Sequence, residues 1–183
     1  YYVCNAYGVC GIYSAPGTAV KEAYDTSGIV TNDRGVTVWL KGNRVSRNQI
    51  MAIKEESVTE QKNSLAVCLD NILRHAGITR NTEYDLAQGK TATTILSENM
   101  TGVQVLDLSG CTLDAVLYYV NQDIPVLAIL EDGEAVLVTG FNEFNVVIME
   151  PATGKLYKKG MNDATAWFAE NGNHFITYMR IEN

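Results

Sequence analysis

Cysteine and histidine are the residue types in this sequence that could carry nucleophilic chemistry. A thiolate that exchanges a proton with an imidazole near neutral pH can attack a peptide or amide carbonyl and form a thioester. The chain has four cysteines and two histidines. One hypothesis is therefore an active cysteine hydrolase in which Cys68 is the nucleophile and His75 or His174 is the base.

The cysteines do not follow a pattern typical of a metal site. No C-x-x-C pair is present, and two histidines are too few for a site built on imidazole. The sequence therefore predicts no metal ion and no other cofactor. Cys4 and Cys10 are separated by five residues and leave two alternatives open, a short loop closed by a disulfide or two free, partly buried thiols.

Cys68 lies within the strongest helical pattern of the chain. Apolar residues from Leu65 to Ala76 recur at intervals of three and four, and Gly77 follows as a stop signal. Cys68 belongs to this apolar stripe, one turn after the helix begins. The spacing therefore predicts a thiol that points into the core, which argues against a nucleophile.

The elements that follow this helix mix short helices with strands joined by turns. Helices are predicted at 84–88, 91–99, 113–121 and 162–171, and strands at 103–108, 125–130, 135–141, 146–149, 155–158 and 175–181. Helices come first and a largely antiparallel meander comes second. This order predicts an α+β fold.

The first sixty residues differ from the rest in their pattern of turn and apolar residues. Two β-branched runs flank the turn residues 32–35 and predict a β-hairpin at about 28–41. The segment 44–60 is a polar connector with little apolar periodicity. We therefore predict an N-terminal extension over 1–60 and a main domain over 61–183.

Four motifs of the main domain, in order, resemble those of the C39-like cysteine peptidases. Residues 64–77 (SLAVCLDNILRHAG) resemble the nucleophile helix, and 124–127 (IPVL) resemble the strand that follows a proline. Residues 133–141 (GEAVLVTGF) are similar to the Gly-His strand that ends in Gly-Tyr, and 149–154 (MEPATG) to the Asp-Pro-x-x-Gly corner. The resemblance spans about 61–181. It implies a papain-like fold, with helices on the N-terminal side packed on an antiparallel sheet.

The same resemblance implies that the catalytic triad is degenerate. Ser64 stands at the position of the nucleophilic cysteine, Glu134 at that of the histidine and Glu150 at that of the orienting aspartate. Gln61 corresponds to the glutamine that stabilises the oxyanion, but is closer to the nucleophile position than is usual in the family. A serine facing a carboxylate of pKa about 4 has no competent base, so the site is expected to be inactive.

Each of these residues also has an ordinary structural explanation. Ser64 at a helix start is a favoured N-cap, and Glu134 follows Gly133 in a turn where charged residues are common. If the fold is papain-like, Glu134 and Glu150 both face the cleft beside Ser64. They would then form a small acidic pocket for a cationic peptide group or a metal ion.

Three functions remain open. The resemblance favours a catalytically inactive binding or scaffolding module of a larger secreted or cell-surface bacterial protein, with a peptide or protein ligand in the vestigial cleft. The active hydrolase that uses Cys68 is the second. The third is a purely structural interaction domain that presents the N-terminal hairpin to a partner.

Composition excludes several partner classes. The net charge of −7 disfavours nucleic acid, because phosphates are bound by clustered lysines and arginines. No apolar run reaches the roughly 18 residues of a membrane span. The chain begins with Tyr1 and shows no signal-peptide pattern, so we expect a processed chain or an excised piece. No feature predicts an oligomeric state.

Overall fold

A computed structural model describes residues 1–42, 53 and 63–181, and two antiparallel sheets organise them. The helices are α1 (Pro16–Thr26), α2 (Ser64–His75), α3 (Glu83–Ala87), α4 (Ala92–Asn99), α5 (Leu113–Val120) and α6 (Met161–Glu170). The strands are β1 (Tyr2–Cys4), β2 (Cys10–Ile12), β3 (Ile29–Thr31), β4 (Thr37–Leu40), β5 (Val103–Asp107), β6 (Val126–Ile129), β7 (Ala135–Phe141), β8 (Asn145–Glu150), β9 (Lys155–Gly160) and β10 (His174–Arg180).

The larger sheet has the strand order β5-β10-β6-β7-β8-β9, and neighbouring strands in it run antiparallel. Its central strand β7 is buried along its whole length, because helices α2 and α5 pack against it. All six strands were predicted from the sequence to within two residues at each end. The α+β class is confirmed.

The smaller sheet has the order β2-β1-β3-β4. The predicted hairpin is confirmed as β3 and β4, but β1, β2 and helix α1 were not predicted. Helix α1 begins with Pro16 and Gly17 and buries mainly small residues, Ala19 and Ala23 among them. A Gly- and Pro-rich opening without large apolar residues is more typical of a loop, so the pattern of α1 was missed.

Residues 1–42 share a core with the main sheet. The Trp39 Nε1–H donates to the carbonyl of Ala115 at 3.0 Å, and the Tyr119 hydroxyl donates to the carbonyl of Val38 at 2.8 Å. Trp39 is 3% exposed and Tyr119 is 1% exposed. The predicted boundary at 60/61 falls outside the described residues and stays a prediction, but the hairpin itself is packed into the molecule.

The four cysteines form one disulfide and two free thiols. Cys4 and Cys10 lie directly opposite one another on β1 and β2 and form a disulfide, so the alternative of two free thiols is wrong for this pair. Cys68 and Cys111 are free and buried. The Cys111 thiol lies 3.3 Å from the carbonyl of Gly17 on α1, and burial raises its pKa to about 12.

Candidate functional site

The start of helix α2 positions the first candidate side chain. The Asn63 side chain accepts the backbone N–H groups of Leu65 at 2.9 Å and Ala66 at 3.3 Å, and it is therefore the N-cap of α2. Ser64 is the first helical residue, so its interpretation as the N-cap is wrong by one position. The hydroxyl of Ser64 is left to make a different contact.

Ser64 joins helix α2 to the start of strand β7. Its Oγ accepts the backbone N–H of Ala135 at 2.9 Å. The preceding carbonyl, that of Glu134, accepts the N–H of Leu130 on the β6 side. Successive residues of a strand direct their backbone groups to opposite edges, so the Ala135 N–H points to the β8 side, where β8 has already ended. The Ser64 hydroxyl therefore satisfies a sheet N–H that has no strand partner.

Strand register relates the two candidate carboxylates to each other. Leu137 pairs with Met149, so Val136 lies opposite Glu150, and Glu134 lies two residues before Val136. Residues two apart on a strand share a face, and directly opposite residues share a face as well. Glu134 and Glu150 therefore lie diagonally on one face at the end of the sheet that Ser64 contacts.

Both carboxylates are at the surface, and local turns hold their backbones. The Glu134 N–H donates to the Asp132 Oδ1 at 2.9 Å, in the tight turn between β6 and β7. Glu150 ends β8, and its Oε2 accepts the Thr153 hydroxyl at 3.2 Å. Both glutamates are exposed, whereas Ser64 is half-buried. Lys155 lies directly opposite Glu150 on β9 and shares its face. The arrangement is an open end of the sheet with two carboxylates, one lysine and one hydroxyl.

Neither imidazole is engaged with Ser64. The His75 Nε2 lies 2.6 Å from the carbonyl of Asp123, near the last turn of α2, which is about 16 Å along the helix axis from its start. The His174 Nε2 lies 4.0 Å from the Asp107 Oδ1 at the beginning of β10. Neither contact is with Ser64, Glu134 or Glu150.

Cys68 is a core thiol, as its place in the apolar stripe predicts. It is 0% exposed, and its pKa is raised well above the usual range, first by burial and then by the nearby negative charge of Glu134. His75 follows seven residues later on the same helix, about 10 Å along its axis. Cys68 is therefore neutral and distant from that base, which removes the basis for the Cys68–His75 pair.

The remaining site predictions have different outcomes. Gln61 lies outside the described residues. Within the described part of the chain, no group of three or more His, Cys, Asp or Glu side chains is placed to hold a metal ion. The Asn63 cap was missed by sequence reasoning, although an Asn one residue before a helix is a recognisable signal.

Comparison with known proteins identifies the fold. No family model matches the sequence, and no curated protein matches it. A crystal structure of a Bacillus anthracis protein assigned as a C39-like peptidase is similar, with a TM-score of 0.59 and 13% sequence identity. The match covers 78% of this chain and all of that one.

The chain therefore has the α+β, papain-like fold of a C39-like peptidase. At this identity the likeness establishes the fold alone. In the described part of the chain, no helix is long and apolar enough to cross a membrane.

Proposed function

We propose that this protein is a catalytically inactive, peptidase-like binding or scaffolding module. The observation that carries the proposal is the hydrogen bond from the Ala135 N–H to the Ser64 Oγ. It connects Ser64, which the resemblance places at the nucleophile position, with the residue that follows Glu134, which the resemblance places at the histidine position. The side chains at these positions are a hydroxyl and a carboxylate, which do not form a nucleophile–base pair at neutral pH.

The ligand we propose for the vestigial cleft is a cationic segment of a peptide or protein. Glu134 and Glu150 lie on one face at the open end of the sheet, and the chain carries a net charge of −7. The two exposed carboxylates outnumber the one lysine on this face, Lys155, and the remaining negative charge favours a lysine or arginine side chain or a free amino group.

We further propose that the module belongs to a secreted or cell-surface bacterial protein. The disulfide between Cys4 and Cys10 supports this location, because disulfides form and persist mainly in oxidising compartments. The resemblance to C39-like peptidases is the second support.

The two alternatives have weaker support. An active hydrolase would need Cys68, whose thiol is buried and whose pKa is raised. A purely structural domain would display the N-terminal hairpin, yet Val38 and Trp39 of that hairpin are buried. The acidic end of the sheet, by contrast, is exposed.

The test is titration with short peptides of opposite charge, tetralysine and tetraglutamate, followed by calorimetry at low and moderate salt. Tetralysine should bind, binding should weaken with salt, and mass spectrometry should recover the peptide intact. The variant Glu134→Ala/Glu150→Ala should lose this binding. Cleaved peptide would overturn the inactive assignment.

A matched control carries the same charge change elsewhere. Glu22 on α1 and Glu143 in the turn between β7 and β8 are both exposed and lie outside the proposed cleft. The variant Glu22→Ala/Glu143→Ala has the same net charge as the cleft variant and should keep tetralysine binding. If both double variants lose binding equally, the ligand is attracted by net charge and the cleft assignment is wrong.

A further inference from the structure

A cavity lies between the N-terminal sheet and helix α5, and its lining does not include Ser64, Glu134 or Glu150. Its volume is about 180 Å³. Three aromatic side chains from three elements line it, Tyr24 of α1, Trp39 of β4 and Tyr118 of α5, together with Asp114 at the start of α5 and Lys41. The cavity is therefore built by the contact between residues 1–42 and the main domain.

The three rings are inclined to one another and do not stack face to face. The ring centroids of Tyr24 and Trp39 are 6.1 Å apart with an interplanar angle of 59°, and those of Trp39 and Tyr118 are 6.1 Å apart at 49°. The bond from the Trp39 Nε1–H to the Ala115 carbonyl fixes the indole. Such a set of inclined rings is the arrangement from which aromatic cages for organic cations are built.

One carboxylate completes the lining. The Asp114 Oδ2 accepts the Tyr24 hydroxyl at 2.8 Å, which joins the negative charge to one of the rings. The protein already places a cation against the same ring, because the Lys41 Nζ lies 5.3 Å from the centroid of Tyr24. That distance is within the range of a cation–π interaction.

We propose that this cavity binds a quaternary ammonium group. The aromatic lining and the Asp114 carboxylate attract positive charge. A quaternary ammonium presents only methyl groups, so its contact with aromatic carbon leaves no N–H donor unsatisfied and its desolvation costs less than that of a primary ammonium. The net charge of −7 adds a general attraction for cations.

The ligand test compares choline with its neutral carbon isostere, 3,3-dimethyl-1-butanol, at constant ionic strength. Trp39 fluorescence is the signal, in a Trp167→Phe background that leaves one tryptophan. Choline should give a saturable change and bind about tenfold more tightly than the isostere. Equal responses to the two compounds, or no saturable response to choline, would overturn the proposal. This test needs no substitution in the cavity lining.

Variants then assign the site. Asp114→Asn should weaken choline binding about fivefold or more, whereas Asp163→Asn, at an exposed position on α6, should not change it. Lys41→Met removes the resident cation and should tighten choline binding a few-fold. Ser64→Ala should have no effect, which separates this cavity from the vestigial cleft. Equal losses in Asp114→Asn and Asp163→Asn would show nonspecific attraction and contradict the assignment.

Discussion

The junction between the N-terminal sheet and helix α5 differs sharply from the open end of the main sheet. At the junction, Trp39 and Tyr119 are buried and each donates a hydrogen bond to a backbone carbonyl across the contact. At the open end, Glu134 and Glu150 are exposed, and Ser64 makes one bond to a backbone N–H. We therefore expect substitutions at the junction to cost more stability than substitutions of Ser64, Glu134 or Glu150 at the open end.

The largest expected effect is at the junction. Trp39→Ala removes a buried ring and the bond to the Ala115 carbonyl, and should lower the free energy of unfolding by about 3–5 kcal/mol. Chemical denaturation measures this decrease in the free energy of unfolding. Trp167→Ala is the matched control, because Trp167 on α6 is half-buried, and its loss should be clearly smaller. Equal losses would contradict the importance of the junction.

A single hydroxyl at the junction should have the next effect. Tyr119→Phe keeps the ring but leaves the Val38 carbonyl without the hydroxyl that donates to it, which should lower the free energy of unfolding by about 1–3 kcal/mol. Tyr7→Phe is the control, since Tyr7 is 91% exposed and should change stability by less than about 0.5 kcal/mol. Denaturation curves that superimpose for the two variants would refute this assignment.

The buried thiols predict a loss of stability at alkaline pH. Burial raises the pKa of Cys111 from 9.0 to about 12, and that of Cys68 further. Above pH 9 the unfolded chain releases these protons while the folded protein retains them, so the free energy of unfolding falls as pH rises. The slope is about 1.4 kcal/mol per pH unit for each thiol.

Urea denaturation between pH 8 and 10.5 measures this slope. The variant Cys68→Ala/Cys111→Ala removes both thiols, while the buried tyrosines remain and titrate as before. The parent should therefore lose stability more steeply than the double variant. Parallel pH profiles would show that the thiols do not stay protonated in the folded protein.

The smallest expected effects are at the open end of the sheet. Ser64→Ala removes the acceptor for the Ala135 N–H and should lower the free energy of unfolding by about 1 kcal/mol. Glu134→Gln and Glu150→Gln should each change it by less than about 0.5 kcal/mol, since both side chains are exposed. Thermal denaturation compares all three, and a larger loss in either glutamate variant than in Ser64→Ala would reverse the comparison.

The sequence predicted most of the main sheet because its strands are apolar runs bounded by turn residues, as in 135–141 and 146–149. It predicted the burial of Cys68 because the apolar stripe of α2 is unusually regular. Helix α1 was missed because its buried face uses small residues. The shared core of residues 1–42 depends on contacts such as that of Trp39 with Ala115, 76 residues apart, which no local pattern reveals.

The candidate site was only partly predictable for the same reason. Family motifs located Ser64, Glu134 and Glu150 along the chain, but not the bond between Ser64 and Ala135, which joins residues 71 apart. The helix cap was placed one residue late, since Asn63 and Ser64 are both good caps and only geometry distinguishes them.

The most direct test of the account is to rebuild the missing pair and measure thiol reactivity. Iodoacetamide alkylation below pH 7 would be compared in the parent, in Ser64→Cys and in Ser64→Cys/Glu134→His. The parent should not react, because its two free thiols are buried. The double variant should react faster than Ser64→Cys, because an adjacent imidazolium lowers the pKa of the thiol. Rapid alkylation of Cys68 in the parent, or equal rates in the two variants, would contradict the assignment of Ser64 and Glu134 to the nucleophile and base positions.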